Sequence, residues 1–155
     1  MLEALREARK AASRNEVPVG AVITHNGVII SRGHNRREEK MDPTSHAELT
    51  AIKKAAGRLK TWRLSGTTLF VTLEPCIMCM GAVLQARITR LVFASFDPKA
   101  GACGSVYDLS GDRRLNHRVR VSSGVAEAEA GKLLKDFFRD LRAKKKSVKT
   151  AKSVP

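Results

Sequence analysis

The chain has 155 residues, 43% of them hydrophobic, which suffices for one domain with an ordinary core and is too apolar for wholesale disorder. Its 29 Lys and Arg against 15 Asp and Glu leave a net charge of +14, which points to a polyanion such as nucleic acid or to an anionic surface. No apolar run approaches a bilayer span, the N-terminus mixes acids and bases where a signal peptide needs an apolar stretch, and three cysteines cannot build a disulfide framework, so a cytoplasmic, reducing location is expected.

Leu2, Leu5, Ala8 and Ala12 recur at helical spacing over residues 2–13. Pro18 to Thr24 and Val28 to Ser31 then read as strands joined at His25-Asn26-Gly27, where Asn-Gly is a hairpin signal. Thr44-Ser45 is expected to cap a helix whose apolar positions are Leu49, Ile52 and Ala56. Thr68 to Leu73 is a short apolar run typical of a covered strand, and a helix follows from Pro75 to Ala86. That helix is apolar nearly all round, which predicts burial between the sheet and a further surface, such as a second subunit. Ile88 to Ala94 and Val119 to Ser122 complete the strands, and residues 127–142 form the last helix. Helices alternating with strands in this order predict an α/β fold, a three-layer α/β/α sandwich around a mixed five-stranded sheet.

The basic charge is uneven: from Lys132 onward nine Lys and Arg face two Asp, so half of the excess lies in the last 24 residues. Within the last helix, Ala130, Leu133, Leu134, Phe137 and Leu141 form an apolar stripe, while Lys132, Lys135, Arg139 and Arg142 gather on an adjoining face. Phe138 falls at the border, where its ring could stack on an unpaired base beside the cations Arg139 and Arg142, or serve simply as core. Residues 143–155 have almost nothing to bury and are expected to be a basic tail, disordered when free, appended to a single domain over 1–142.

Two short segments carry the chemistry, His46-Ala-Glu48 and Pro75-Cys76-Ile-Met-Cys79. Cys76 and Cys79 stand three residues apart at the start of a helix, so both sulfurs share one face, near a dipole end that stabilises thiolates. His46 also opens a helix, and His46, Cys76 and Cys79 together supply three metal ligands, which leaves a fourth position open as in catalytic rather than structural zinc sites. Glu48 is expected to transfer protons and not to bind metal. A lone C-x-x-C is common in zinc knuckles and redox motifs, but H-x-E…P-C-x-x-C is the signature of zinc nucleobase deaminases. Cys103 lies in Gly101-Ala-Cys-Gly104 and reads as a small residue in a tight loop rather than a fourth ligand; His25, His34 and His117 lack partners at ligand spacing.

Beyond these motifs, Glu16-Val-Pro-Val-Gly-Ala-Val22, Gly33-His-Asn-Arg36, Asp42-Pro-Thr-Ser-His-Ala-Glu48, Leu73-Glu-Pro-Cys-Ile-Met-Cys-Met-Gly81, Asp97-Pro-Lys-Ala-Gly-Ala-Cys-Gly-Ser105, Leu115-Asn-His-Arg-Val119 and Asp136-Phe-Phe-Arg139 make the chain closely resemble the bacterial tRNA-specific adenosine deaminases, of the cytidine-deaminase-like fold. The likeness covers nearly the whole chain. It departs in a first helix that looks short and in Cys103, where Ala or Ser would be expected. The resemblance implies zinc-dependent hydrolysis of adenosine to inosine at the wobble position of a tRNA anticodon. Water would add to C6 of adenine, and Glu48 would carry its proton to the ring nitrogen and then to the departing amine. It also implies one Zn2+ per subunit, a homodimer, a base contact from Asn35, and Asp97 and Lys99 at the border of the RNA groove; a turn residue after Gly33 is the alternative for Asn35. Two other readings stay open: a deaminase of free cytidine, dCMP or guanine, and a zinc-stabilised RNA-binding module in which Glu48 is a surface carboxylate.

Overall fold

The computed structural model describes the backbone of residues 1–152 and the side chains of residues 1–147. Helix α1 (Leu2–Ser13) leads into the hairpin β1 (Gly20–His25) and β2 (Val28–His34), followed by a short α2 (Arg37–Lys40) and α3 (Ala47–Leu59). Then come β3 (Thr67–Leu73), α4 (Ile77–Gln85), β4 (Arg90–Ser95), β5 (Arg120–Ser122) and a long α5 (Glu127–Lys152). The five strands form one mixed sheet in the order β2-β1-β3-β4-β5, antiparallel from β2 to β3 and parallel from β3 to β5. At the hairpin turn Asn26 and Gly27 both have positive φ, 50° and 77°, the geometry that an Asn-Gly pair accepts and that suits the strand twist.

Alternation along the strands assigns the two faces. Ala21, Ile23, Leu69, Val71, Leu91 and Phe93 join Ala47, Ala51 and Ala55 of α3 and Met80, Val83 and Leu84 of α4 in the main core. On the opposite face Ala94 packs with Leu5 of α1 and Ala130 of α5. The result is the expected three-layer sandwich, with α3 and α4 on one side of the sheet and α1 and α5 on the other.

Small residues bring α3 close enough to hold the functional residues at its start. A Cβ on Gly33 would stand 2.3 Å from the Ala47 carbonyl oxygen and 2.8 Å from the Ala51 nitrogen, both backbone atoms. Gly33→Ala should therefore force β2 and α3 apart and destabilise the fold by about 1–3 kcal/mol, measured as a lower urea midpoint. An unchanged midpoint would mean that the helix yields freely.

Several sequence expectations are corrected. α3 buries Ala47, Glu48, Ala51 and Ala55, whereas Leu49, Ile52 and Ala56 lie at the margin of the contact. Thr44 and Ser45 do not cap it, because their hydroxyls donate to Asp42, each at 2.7 Å, and His46 occupies the N-cap position. α4 buries one side against the sheet and leaves Ile77 and Met78 exposed among the described residues, on the side expected from the sequence to meet a further surface. α2 has no apolar period and no buried residue, and was therefore invisible to hydrophobic patterning. α5 does not end at residue 142: its helical backbone continues through Lys152, and residues 153–155 lie outside the described residues. Like charges at residues 144–146 gave no sequence sign of the extra turns.

Candidate metal centre and catalytic cavity

The parallel part of the sheet places the ends of β3 and β4 side by side, with Leu73 paired to Ser95, and the chain leaves both strands toward one cavity. Directly after β3, Cys76 forms the N-cap of α4 in an extended conformation, and Cys79 follows in the first turn. His46 is the N-cap of α3, also extended (φ −77°, ψ 156°). Two helix N-termini thus converge, and both favour anionic ligands.

The His46 Nδ1 atom lies 3.5 Å from Cys79 Sγ and 3.8 Å from Cys76 Sγ. Ligand atoms on adjacent corners of a tetrahedron with metal–sulfur bonds of 2.3 Å and metal–nitrogen bonds of 2.0–2.1 Å stand about 3.5 Å apart, so one imidazole and two sulfurs are spaced to share an ion. Among the described residues these three form the group able to hold a metal. Hydrogen bonding from Cys79, and then the His46 imidazole, hold the Cys76 thiol down to about 4, while its bond to Cys76 and burial push Cys79 up. Hydrogen bonding to Cys76 raises His46. Binding an ion through both sulfurs requires both as thiolates and so releases protons.

Glu48 does not join this group. It is buried, and loss of solvation raises its carboxyl above the ordinary value, with the Cys79 thiol in hydrogen-bonding contact. Because His46 sits outside the helix proper, the two-residue spacing no longer directs the side chains apart, as an ideal helix would. Cys103 stands apart from the ligand group; burial pushes its thiol up to about 12, and its backbone N–H donates to Glu74 at 2.8 Å. His34 is paired with Glu7 at 2.8 Å and His117 with the Ile88 carbonyl at 2.8 Å, so neither approaches the centre.

A cavity of about 210 Å³ is lined by His46, Glu48 and Cys76, and by Asn35, Arg37, Val17, Val19, Glu74, Asp97 and Ala100. Asn35 is therefore a wall of the site and not merely a turn residue. A second hollow of about 610 Å³ shares Val17, Leu73 and Asp97 with the first and continues past Lys99, Lys135, Phe138 and Arg142. Phe138 is 40% exposed there, edge-on to Phe137 at 5.4 Å between ring centroids. Arg139 is not brought to this hollow: it lines a different groove and is engaged by Asp136 at 2.7 Å and Asp140 at 3.2 Å.

Sequence reasoning missed two buried carboxylates. Glu74 accepts from the backbone N–H groups of Asp97 (3.0 Å), Cys103 (2.8 Å) and Ser105 (3.1 Å) and from the Ser105 hydroxyl, which fixes the loop carrying Asp97 and Lys99. Burial alone would raise its carboxyl, but these donors hold it below the ordinary value. Glu16 accepts from the Asn35 amide at 3.1 Å. The available signal was an acid at the end of an apolar strand or just before one, where an unpaired carboxylate would be costly.

The chain matches the MafB19-like deaminase family over residues 1–142. It is 50% identical over 149 residues to the tRNA-specific adenosine deaminase of Bacillus subtilis (strain 168), covering 96% of this chain and 92% of that protein. A solved structure from a study of A-to-I editing by tRNA:A34 deaminases at the wobble position of transfer RNA superposes with a TM-score of 0.82 at 45% identity, covering 84% of this chain and 95% of the other. Guanine deaminase from Nitrosomonas europaea is more distant, with a TM-score of 0.73 at 26% identity over 87% of this chain and 80% of that one.

Proposed function

The chain belongs to the tRNA-specific adenosine deaminases within the MafB19-like deaminase family, and from that premise we propose that it hydrolyses adenosine to inosine at the wobble position of a tRNA anticodon. The observation that carries the proposal is the juxtaposition of a small cavity holding Glu48 beside the His46–Cys76–Cys79 group with a wider hollow bearing Lys99, Lys135, Phe138 and Arg142. A small cavity suits one base, and a cationic, aromatic approach suits the strand that delivers it.

His46, Cys76 and Cys79 would hold one zinc ion per subunit, a choice favoured by two sulfurs and an imidazole in tetrahedral spacing. When bound, zinc acts as a Lewis acid that lowers the pKa of water to roughly 7. Glu48 accepts the proton of the water whose oxygen bonds to C6 of adenine, and passes it to N1. It then takes the second proton from the oxygen now bonded to C6 and delivers it to the exocyclic amine as the C6–N6 bond breaks and C6=O forms, leaving inosine and ammonia. Asn35 holds the base, and Val17, Val19 and Leu73 surround the cavity with apolar side chains. Asp97 shapes its own loop by accepting from the Lys99 and Ala100 N–H groups at 2.9 and 3.3 Å, which sets Lys99 at the rim of the hollow. An anticodon loop splays a base into such a cavity more cheaply than a stem does.

Among the described residues no helix is long and apolar enough to cross a membrane, and a cytoplasmic site of action follows from the proposed substrate. A homodimer is part of the same reading, supported by the exposed Ile77 and Met78 on α4.

The test is mass-spectrometric nucleoside analysis of an anticodon stem-loop with A at the wobble position, incubated with zinc-loaded protein beside free adenosine and cytidine. Inosine from the stem-loop alone is the expected result. Uridine from cytidine would replace the proposal with nucleoside salvage, and no product from any substrate would leave an RNA-binding module.

The end of α5 supplies a separate prediction. Removing residues 144–155 deletes Lys144, Lys145, Lys146, Lys149 and Lys152 and should weaken tRNA binding and flatten its dependence on salt. An unchanged affinity and salt slope would exclude the tail from the RNA contact.

A further inference from the structure

An asparagine amide presents an oxygen that accepts and a nitrogen that donates, and a half-turn about its last torsion exchanges them. What a substrate meets on Asn35 is therefore decided by whatever holds the amide from behind. The backbone there is already fixed, with the Asn35 N–H donating to the Val19 carbonyl and the Arg36 N–H to the Ser45 carbonyl, each at 3.0 Å. Behind the side chain lies Glu16, 1% exposed, whose Oε2 accepts from Asn35 Nδ2 at 3.1 Å and whose Oε1 accepts from the backbone N–H of Glu39 at 2.8 Å. An ionised carboxylate only accepts, so a flipped Asn35 would set two acceptors against each other out of reach of water.

Resting on the reading of Asn35 as the residue that meets the base, we infer that Glu16 is a positioning residue that fixes the polarity of Asn35 toward the substrate. Asn35 lines the cavity and Glu16 does not, so Glu16 acts through the amide. With one Nδ2 hydrogen taken by Glu16, the cavity receives the Oδ1 acceptor and the second amide N–H in one fixed order. A purine nucleoside offers ring nitrogens that only accept and ribose hydroxyls that do both, so a fixed order selects one way of seating it. The tie to Glu39 extends the control to α2, whose Arg37 also lines the cavity.

Glu16→Gln keeps the shape and, with its one oxygen accepting from Glu39, turns an N–H donor toward Asn35 and so favours the reversed amide. It should raise KM for the stem-loop about tenfold and change kcat by less than about threefold, the pattern of lost uniform binding by one hydrogen bond. In an Asn35→Ala background the same change should have no further effect on KM. A KM effect of equal size in both backgrounds would overturn the inference and leave the role of Asn35 standing; no KM effect from Asn35→Ala alone would instead remove the role of Asn35 itself. Should Glu16→Gln fold poorly, the exchanged pair Glu16→Gln with Asn35→Asp carries the test, because it restores the mutual hydrogen bond but shows a carboxylate to the substrate. Restored folding with a raised KM is expected. Restored folding with a wild-type KM would overturn the inference, since the bond alone would then suffice.

Discussion

Replacing Glu48 by Gln should reduce inosine formation by about 10³-fold in kcat, within the span expected when a general acid–base group is lost, and leave both the zinc content and stem-loop affinity close to wild type. The substitution is close to isosteric, so it preserves packing at a position only 4% exposed. It removes the one property that the proposed reaction asks of this side chain, the ability to take up and release a proton. Burial raises the Glu48 carboxyl above its ordinary value, and the side chain shares the cavity with His46 and Cys76. Zinc should remain because the ion-holding group is His46, Cys76 and Cys79 without Glu48. Full turnover in the Gln variant would assign proton transfer elsewhere, whereas loss of zinc together with turnover would make Glu48 a ligand. A binding module without catalysis predicts a third result, equal RNA affinity in both proteins and ammonia from neither.

The legibility of this chain followed the range of each signal. The order of layers was readable because β1, β3 and β4 alternate or run apolar over a few residues, and because Asn26-Gly27 requires no partner to specify its turn. The grouping of His46, Cys76 and Cys79 was readable because ligand chemistry limits which residues can appear and the helix supplies the three-residue spacing of the cysteines. Positions that depend on distant neighbours were not readable. Thr44 and Ser45 look like a cap, but their hydroxyls donate to Asp42. Glu16 and Glu74 look like surface acids until the loops they hold are in place. Arg139 shares a basic face with Lys135 and Arg142 on a helical wheel, yet two aspartates of its own helix draw it to another groove. Local periodicity places a residue on a helix; it does not choose the partner that finally orients it.

Cys79→Ser should empty the metal centre, abolish turnover and lower the thermal midpoint, while leaving tRNA affinity within about threefold of wild type. The chemistry is one of donor type. A thiolate is a good zinc ligand, a serine hydroxyl keeps its proton near neutral pH, and two remaining ligands hold the ion far less firmly than three. Cys79 is buried at the first turn of α4 beneath His46, so no other side chain in the group can take its place without moving a helix end. The midpoint should fall because an ion bound only by the folded chain stabilises it by an amount that grows with the logarithm of free ion concentration over its dissociation constant. RNA affinity should persist because Lys99, Lys135, Phe138 and Arg142 line the adjoining outer hollow and none of them belongs to the metal group. Cys103→Ala is the matched control: that thiol is buried outside the ligand group and held in its protonated form, so zinc content and turnover should both survive. Elemental analysis of the two purified variants, with nucleoside analysis on the same samples, separates the outcomes. Equal zinc loss in both would enlarge the centre to four protein ligands and close the open position on which water activation depends, whereas retained zinc in Cys79→Ser would dismantle the proposed ligand set.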